Sequence, residues 1–272
     1  MSGIALVRKP GPRIAEGIVT HIERAPVDHE RARHQHDAYV AALAAAGWRP
    51  VYAEDADHLP DAPFVEDAVV VSGRLAVLTR PGAPERRPEV ESVERAVREL
   101  GLKAVRIARP GTLDGGDVLQ VGPTVYVGRS ARTDDEGVSQ LAALLPERRV
   151  VPVGLRGVLH LKSAVTALPD GTLIGDPGRV ELPGLLEPPE EPGAHVVPLG
   201  GDRVLLAASA PRTAAMLERR GLVVTRVDIS EFERLEGCVT CLSVLIPDQQ
   251  WRAPEFRGPD LVFHHRWTDR LS

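Results

Sequence analysis

Short β-branched runs recur along the chain, each bounded by Gly, Pro or Asp. Val69-Val70-Val71, Val150-Val151 and Val223-Val224 are the clearest, and such runs read as strands. Several runs come in pairs about a tight turn. Residues 64–71 lead through Ser72-Gly73-Arg74 to 75–79, and residues 118–121 lead through Gly122-Pro123 to 124–127. Residues 163–168 lead through Pro169-Asp170-Gly171 to 172–174, and 196–199 through Gly200-Gly201-Asp202 to 204–207. Each pair reads as a hairpin, because glycine supplies the positive φ that a short turn needs.

A longer apolar period follows some hairpins and predicts helices. The longest spans 28–46. Another spans 90–100, with Val93 and Val97 one turn apart and Gly101 as its stop. A third opens at Thr133-Asp134-Asp135-Glu136, which has capping-box spacing, and takes its apolar face from Leu141, Leu144 and Leu145. A fourth runs from Pro211 to Arg220 and ends at Gly221. The last three lead into further apolar runs at 104–107, 150–153 and 223–227. The recurring unit is therefore strand, turn, strand, helix, strand. Gly73, Gly122 and Gly171 lie 49 residues apart; Gly201 comes sooner, because the Pro- and Gly-rich stretch 177–192 leaves little room for a helix. A βα unit repeating at this period predicts a radial or stacked architecture with internal pseudo-symmetry, not one doubly wound sheet. No linker divides the chain, and the Pro/Glu-rich stretch 186–193 reads as a surface loop, so one domain is expected over 1–272.

Composition narrows the function classes. Of 272 residues, 43% are hydrophobic and 26% charged, which excludes wholesale disorder. Aromatics make up only 4%, so the core must be aliphatic. A net charge of −5 lacks the footprint of a nucleic-acid binder and leans, weakly, toward a small cationic ligand. No apolar run approaches membrane length, and residues 4–7 are too short for a signal segment; no membrane partner and a cytoplasmic location are expected. Two cysteines, Cys238 and Cys241, exclude a disulfide framework. The C-terminal extension 247–272 holds Trp251, Phe256, Phe263 and Trp267, four of the chain's seven Phe and Trp residues. That points to packing or an interface and leaves a homo-oligomer open.

Four stretches carry chemistry. In Asp61-Ala62-Pro63-Phe64-Val65-Glu66-Asp67, adjacent Glu66 and Asp67 on a strand would face opposite ways; either one faces the interior or a cleft, or both end a solvated turn. In Leu113-Asp114-Gly115-Gly116-Asp117-Val118, the glycines allow a close backbone approach between two acids. This is either a carboxylate site for a cation or a tight turn, and it lacks the spacing of a calcium loop or a phosphate cradle. His160, between Leu159 and Leu161, reads as a strand residue, either a core histidine or a catalyst. Cys238-Val239-Thr240-Cys241 lacks the further ligands of a zinc site and does not open a helix as a redox pair would. On an extended segment its cysteines face apart, one in the core and one reactive. A thiolate nucleophile, a histidine to move protons and several carboxylates together fit a cysteine hydrolase acting on a cation. A guanidinium suits such acids, because its fork of donors matches carboxylate oxygens.

Over about residues 4–246 the chain resembles the dimethylarginine dimethylaminohydrolases of the guanidino-group-modifying superfamily. The resemblance rests on Phe64-Val65-Glu66-Asp67, Thr79-Arg80-Pro81-Gly82-Ala83-Pro84, Leu113-Asp114-Gly115-Gly116-Asp117-Val118, Arg132-Thr133, His160-Leu161-Lys162-Ser163 and Thr240-Cys241-Leu242-Ser243-Val244-Leu245, in this order and spacing. It implies the pentein fold, a five-bladed α/β-propeller of ββαβ modules. It implies Cys241 as nucleophile, His160 as the proton carrier, and Glu66 and Asp114 as acids on the guanidinium. Asp61 and Asp67 would help to hold the substrate, and Arg86 and Arg132 would receive its carboxylate end. Val19 would be an apolar contact on a lid near residues 17–20, and Cys238 a packing residue. The implied reaction converts Nω-methylated arginines to citrulline and a methylamine through a covalent thiouronium, with no metal or other cofactor. An arginine deiminase-like or other guanidino-compound hydrolase with the same catalytic set is the alternative.

Overall fold

The computed structural model describes residues 3–248. Its strands fall into five small sheets. β1 (Gly3–Val7) runs parallel to β2 (Trp48–Tyr52), joined across the helix α1 (His29–Ala45). β3 (Val69–Ser72) and β4 (Leu75–Leu78) form a hairpin, and α2 (Glu89–Glu99) carries the chain to β5 (Lys103–Arg106), parallel to β4. The same order repeats in the hairpin β6 (Val118–Val121) and β7 (Thr124–Arg129), the helix α3 (Asp135–Leu144) and the parallel strand β8 (Arg149–Gly154). The fourth sheet is the short hairpin β9 (Val165–Ala167) and β10 (Leu173–Gly175). Its helix is missing, as the composition of 177–192 predicted, and its third strand shrinks to one parallel bridge between Ile174 and Leu186. The fifth consists of β11 (Val197–Gly200), β12 (Arg203–Ala207), α4 (Pro211–Arg219) and β13 (Val223–Val227). The chain then passes through the single turn α5 (Ser230–Glu233) to β14 (Val244–Pro247), which returns antiparallel to β1 and completes the first sheet.

The turn glycines account for the hairpins. Gly73, Gly122, Gly171 and Gly201 have φ of 60°, 53°, 86° and 61°, the left-handed region that other residues enter at a cost. The module is thus ββαβ, used five times with its helix missing from the fourth. A cavity of about 260 Å³ is walled by β3, β6, β9, β11 and β14. Each sheet contributes one strand, so the sheets stand radially about it. This is the pentein arrangement. The helices lie on the outer side of the strands and bury Tyr39 and Leu43 of α1, Val93 and Val97 of α2, Leu141 of α3 and Leu217 of α4 completely. Each such side chain contributes about 1.5–3 kcal/mol by leaving water.

Three local expectations differ. The run 64–71 is not strand throughout: residues Val65–Ala68 coil into a 3-10 turn and β3 begins at Val69, because Glu66 and Asp67 each find buried partners on different sides of the turn. The N-cap of α3 is Asp134, whose carboxylate accepts from Gly137 N–H at 2.7 Å; the Thr133 hydroxyl turns inward to Asp117 at 2.6 Å instead. His160 is extended but lies in no strand, standing before the 3-10 turn Leu161–Ser163. Most of the extension 247–272, from residue 249 onward with all four of its large aromatics, lies outside the described residues. No helix of the described residues is long and apolar enough to cross a membrane.

Candidate active site

Two glycines decide how closely the site can assemble. A Cβ on Gly115 would stand 2.0 Å from the Glu66 carbonyl oxygen; one on Gly116 would stand 2.6 Å from Asp67 Oδ1 and 2.7 Å from His160 Nδ1. Their absence lets the Gly115–Asp117 turn press against both the Val65–Ala68 turn and the histidine. Gly116 N–H then donates to Asp67 Oδ1 at 2.8 Å.

His160 is buried between two carboxylates. Its Nε2 lies 3.0 Å from Asp114 Oδ2, and its Nδ1 lies 3.8 Å from Asp67 Oδ1. Burial pulls the imidazole pKa down, but Asp67, Asp114 and Asp117 outweigh it and raise it to about 9. The ring is therefore an imidazolium at neutral pH. Asp114 is held by Gly82 N–H at 2.9 Å. Asp117 anchors the next element: its Oδ1 accepts from Leu161 N–H at 2.9 Å, and the Ser130 and Thr133 hydroxyls both donate to its Oδ2 at 2.6 Å. Burial raises the Asp117 pKa to about 6, against the pull of His160 and those hydroxyls.

A narrow pocket of about 20 Å³ is walled by Asp61, Asp67, Arg86, Arg132, His160 and Cys241, with Ile18 at its edge. Burial opposes ionisation of Asp67, yet His160, Arg86 and the Gly116 N–H hold it well below the ordinary carboxylate range. Asp61 accepts from Ile18 N–H at 3.1 and 3.2 Å; burial raises its pKa, with Arg86 opposing. Arg86 is already occupied, by Asp67 at 2.5 Å and by Glu89 at 2.8 and 3.0 Å. Arg132 differs: its buried Nη1 has no hydrogen-bond partner and lies 3.6 Å from Asp114 Oδ2. Arg132 is thus ion-paired with Asp114 and keeps one donor that no hydrogen bond satisfies.

Glu66, Asp114 and Val19 do not line this pocket. Glu66 faces the central cavity instead, where its Oε1 meets Lys162 Nζ at 2.5 Å and its Oε2 accepts from the Thr240 hydroxyl at 3.0 Å. Burial raises the Glu66 pKa to about 7, against the pull of Lys162. Asp114 is fully buried behind His160. Val19 packs on the core formed by α1 and the cysteine loop, and its neighbour Ile18 reaches the pocket. The two acids that the resemblance placed on the guanidinium, Glu66 and Asp114, therefore both lie off this pocket, whereas the two it gave as helping to hold the substrate line it. Asp61 and Asp67 face the pocket, while Asp114 faces the histidine.

The cysteines are the clearest departure from the sequence reading. Residues 238–241 form a turn closed by Cys241 N–H donating to the Cys238 carbonyl at 3.1 Å. The two sulfurs therefore converge, 3.1 Å apart, where an extended segment would part them. Cys238 N–H also points at Cys241 Sγ, at 3.4 Å. Within this pair the hydrogen bond between the sulfurs favours the first ionisation, against burial. The same bond, with burial and the neighbouring acids Glu66 and Asp67, holds the second well above the ordinary thiol range. Only Cys241 borders the pocket. Its loop is fixed by Tyr39, whose hydroxyl donates to the Val239 carbonyl and meets Ser243 Oγ, both at 2.8 Å, and by Glu66 N–H donating to the Cys241 carbonyl at 3.2 Å.

Asp67, Asp114 and His160 offer ligand atoms within 4.8 Å of one another, a grouping that could ligate a metal ion. The Arg86 and Arg132 guanidinium groups beside them oppose a cation there, and their free lone pairs are largely spent on Gly116, Gly82 and Arg86.

The model of the family described as "Arginine deiminase" matches residues 56–168, the stretch from Asp61 through His160. A dimethylarginine dimethylaminohydrolase of Streptomyces coelicolor is 57% identical over 246 residues, covering 88% of this chain and 95% of that one. The chain belongs to the dimethylarginine dimethylaminohydrolase family. Solved structures of dimethylarginine dimethylaminohydrolase agree. One, a histidine-to-glycine variant in adduct with S-methyl-L-thiocitrulline, superposes with a TM-score of 0.85 at 33% identity, covering 90% of this chain and all of the other. A cysteine-to-serine variant from Pseudomonas aeruginosa, complexed with citrulline, gives 0.83 at the same identity and coverage of this chain.

Against that family background, Tyr39, Lys162 and Thr240 are the site residues that sequence reasoning passed over, and Asp117 was weighed only as one of two acids about the glycines. Asp117, Lys162 and Thr240 stand inside the motifs themselves, next to the residues that were chosen. Tyr39 lies in the middle of a helix about 200 positions away from the loop it holds, and no local signal marks it.

Proposed function

We propose that this chain hydrolyses Nω-methylated arginines to citrulline and a methylamine, with Cys241 as nucleophile and His160 as proton carrier. The observation that carries this is the pocket in which Cys241, the raised-pKa His160, two carboxylates and an arginine nitrogen without a hydrogen bond meet. The substrate guanidinium lies against Asp61 and Asp67, and its carboxylate end pairs with Arg132. A cation beside Cys241 favours the thiolate. The thiolate attacks the guanidinium carbon, and the His160 imidazolium protonates the departing amine, since a neutral amine leaves far more readily than its anion. The resulting thiouronium is released when neutral His160 takes a proton from water, which attacks the same carbon and returns the thiolate. Asp114 keeps His160 oriented and charged. Burial of the site strengthens each of these charge contacts. Residues 1–272 act as one catalytic domain.

The match to the arginine deiminase model favours one second reading, in which unmethylated arginine is the substrate and ammonia the amine released. Product analysis separates the two. Asymmetric dimethylarginine, monomethylarginine and arginine are incubated in parallel with the protein and with Cys241→Ser. Citrulline with dimethylamine, absent from the Cys241→Ser reaction, is expected. Citrulline from arginine alone would transfer the chain to deiminase chemistry, and equal turnover by Cys241→Ser would remove the cysteine from the reaction.

A further inference from the structure

Two cavities approach each other across the cysteine loop. The pocket is bordered by Cys241, and the 260 Å³ central cavity by Glu66, Lys162 and Thr240. Between them runs an unbroken file of hydrogen-bonding side chains. Cys241 Sγ lies 3.1 Å from Cys238 Sγ, Cys238 Sγ lies 3.2 Å from Thr240 Oγ1, and the Thr240 hydroxyl donates to Glu66 Oε2 at 3.0 Å. Glu66 Oε1 accepts from Lys162 Nζ.

The one assigned direction fixes the others. Because Thr240 donates to Glu66, its oxygen is left to accept from the Cys238 thiol, and the Cys238 sulfur to accept from the Cys241 thiol. Every group then gives one proton forward and receives one from behind, the ordering a proton needs to move by successive hops. We infer that Cys238, Thr240 and Glu66 are a proton relay that carries the thiol proton of Cys241 into the central cavity.

The balance is simple. Cys241 gives its proton to Cys238, Cys238 gives its own to Thr240, and Thr240 gives its own to a Glu66 oxygen. The products are a Cys241 thiolate and a neutral Glu66 carboxyl beside Lys162. The reversed file then donates back toward the thiolate, through the Cys238 thiol and the Cys238 N–H. Glu66 is suited to accept, because burial has raised its pKa to about 7, close to working pH. The charged and titratable groups facing the file are Lys162 and Asp67 around Glu66, His195 toward Cys238, and His160 across the pocket from Cys241. The Tyr39 hydroxyl near the loop is engaged with Val239 and Ser243. Glu66, Thr240 and Cys238 act on the nucleophile without touching substrate, so they are positioning residues.

This assignment rests on Cys241 as the nucleophile, and its test needs no substrate. The rate of Cys241 alkylation by iodoacetamide, located by peptide mass mapping, is followed against pH in the intact protein. Thr240→Val removes the hydroxyl at constant shape, and Thr240→Ser restores it. The expected result is an upward shift of the alkylation midpoint by about one pH unit in Thr240→Val, or about tenfold slower labelling below the midpoint, with recovery in Thr240→Ser. An unmoved midpoint in folded Thr240→Val overturns the relay. Should that variant not fold, Cys238→Ala and Cys238→Ser take its place, the first expected to shift the midpoint and the second to keep it; equal midpoints overturn the relay. In turnover, Glu66→Gln is expected to move the acid limb of kcat and leave KM unchanged. A rise in KM alone would return Glu66 to the guanidinium and dismiss the relay. If no citrulline forms from any guanidino compound, the substrate reading fails while the alkylation result stands on its own.

Discussion

A methyl group at position 116 would stand 2.6 Å from Asp67 Oδ1 and 2.7 Å from His160 Nδ1. Either neighbour yields only by giving up a bond, since Asp67 is held by Arg86 and His160 by Asp114. Gly116→Ala should therefore move the imidazole rather than unfold the protein. The expected cost is about 1–3 kcal/mol in stability, with a fall of about a hundredfold in kcat/KM, measured by thermal unfolding and steady-state kinetics on the same preparation. Full activity in a folded variant would mean that His160 can shift without consequence. The paired glycines were legible in the sequence as a point of close approach. What they approach was not, because His160 and Asp114 are 46 residues apart and meet only once the modules pack. Asp114 was therefore read as an acid on the guanidinium, and the structure places it against His160. The cysteine spacing misled in a different way. Alternation along an extended strand holds for β14, but the backbone turns before that strand starts, and the turn brings both sulfurs to one side.

At the scale of elements, the segment 17–21 is fastened over the pocket by backbone hydrogen bonds, beside the packing of Val19 on the core. Ile18 N–H binds Asp61, and Thr20 and His21 N–H bind the Glu236 carboxylate at 2.6 and 2.7 Å. Glu236 itself has φ 60°, the one described non-glycine residue in the left-handed region, at a cost of about 1–2 kcal/mol. A pocket of about 20 Å³ holds about one water-sized sphere, so a guanidino substrate needs more room than this structure gives, and segment 17–21 borders the pocket through Ile18. Glu236→Gly separates the two roles of the residue. Backbone relief should offset the lost bonds, leaving stability within about 1 kcal/mol of the parent. The loosened segment should raise KM about fivefold, equivalent to about 1 kcal/mol of binding, with little change in kcat. A fall in kcat at constant KM would mean that the segment orders the reacting groups instead of the entrance. The sequence indicated a lid near this place, from the resemblance, but not its fastening to a residue more than 200 positions away. The hairpins and the four helices α1 to α4 were legible because their signals are local: turn glycines, caps, and apolar residues one helical turn apart.

For the whole molecule, the charge on His160 links the site to stability. Its pKa rises from 6.5 to about 9 on folding. Between those values the folded chain holds a proton that the unfolded chain has lost, so stability falls as pH rises. The contribution is complete below about pH 6.5 and gone above about pH 9. The unfolding temperature should decline across that window, and His160→Gln should flatten this part of the decline; an identical slope in the variant would show that the imidazolium does not stabilise the fold. The number of modules was not readable from the sequence without the resemblance. The fourth lacks its helix, and the first is assembled from both ends of the chain.

That first sheet has a consequence for when the protein becomes an enzyme. β14 pairs with β1 in the register Gly3–Pro247, the longest loop to be closed anywhere in the described chain. Contacts of such separation form late, since the entropy of closing the loop must be met first. The Cys238–Cys241 turn immediately precedes β14, and it receives its bonds from Tyr39 and Glu66 only when that strand docks. During synthesis four of the five sheets can be complete on a nascent chain that still has no placed nucleophile. Catalysis therefore begins with ring closure, and a reactive thiol is not presented before there is a pocket around it.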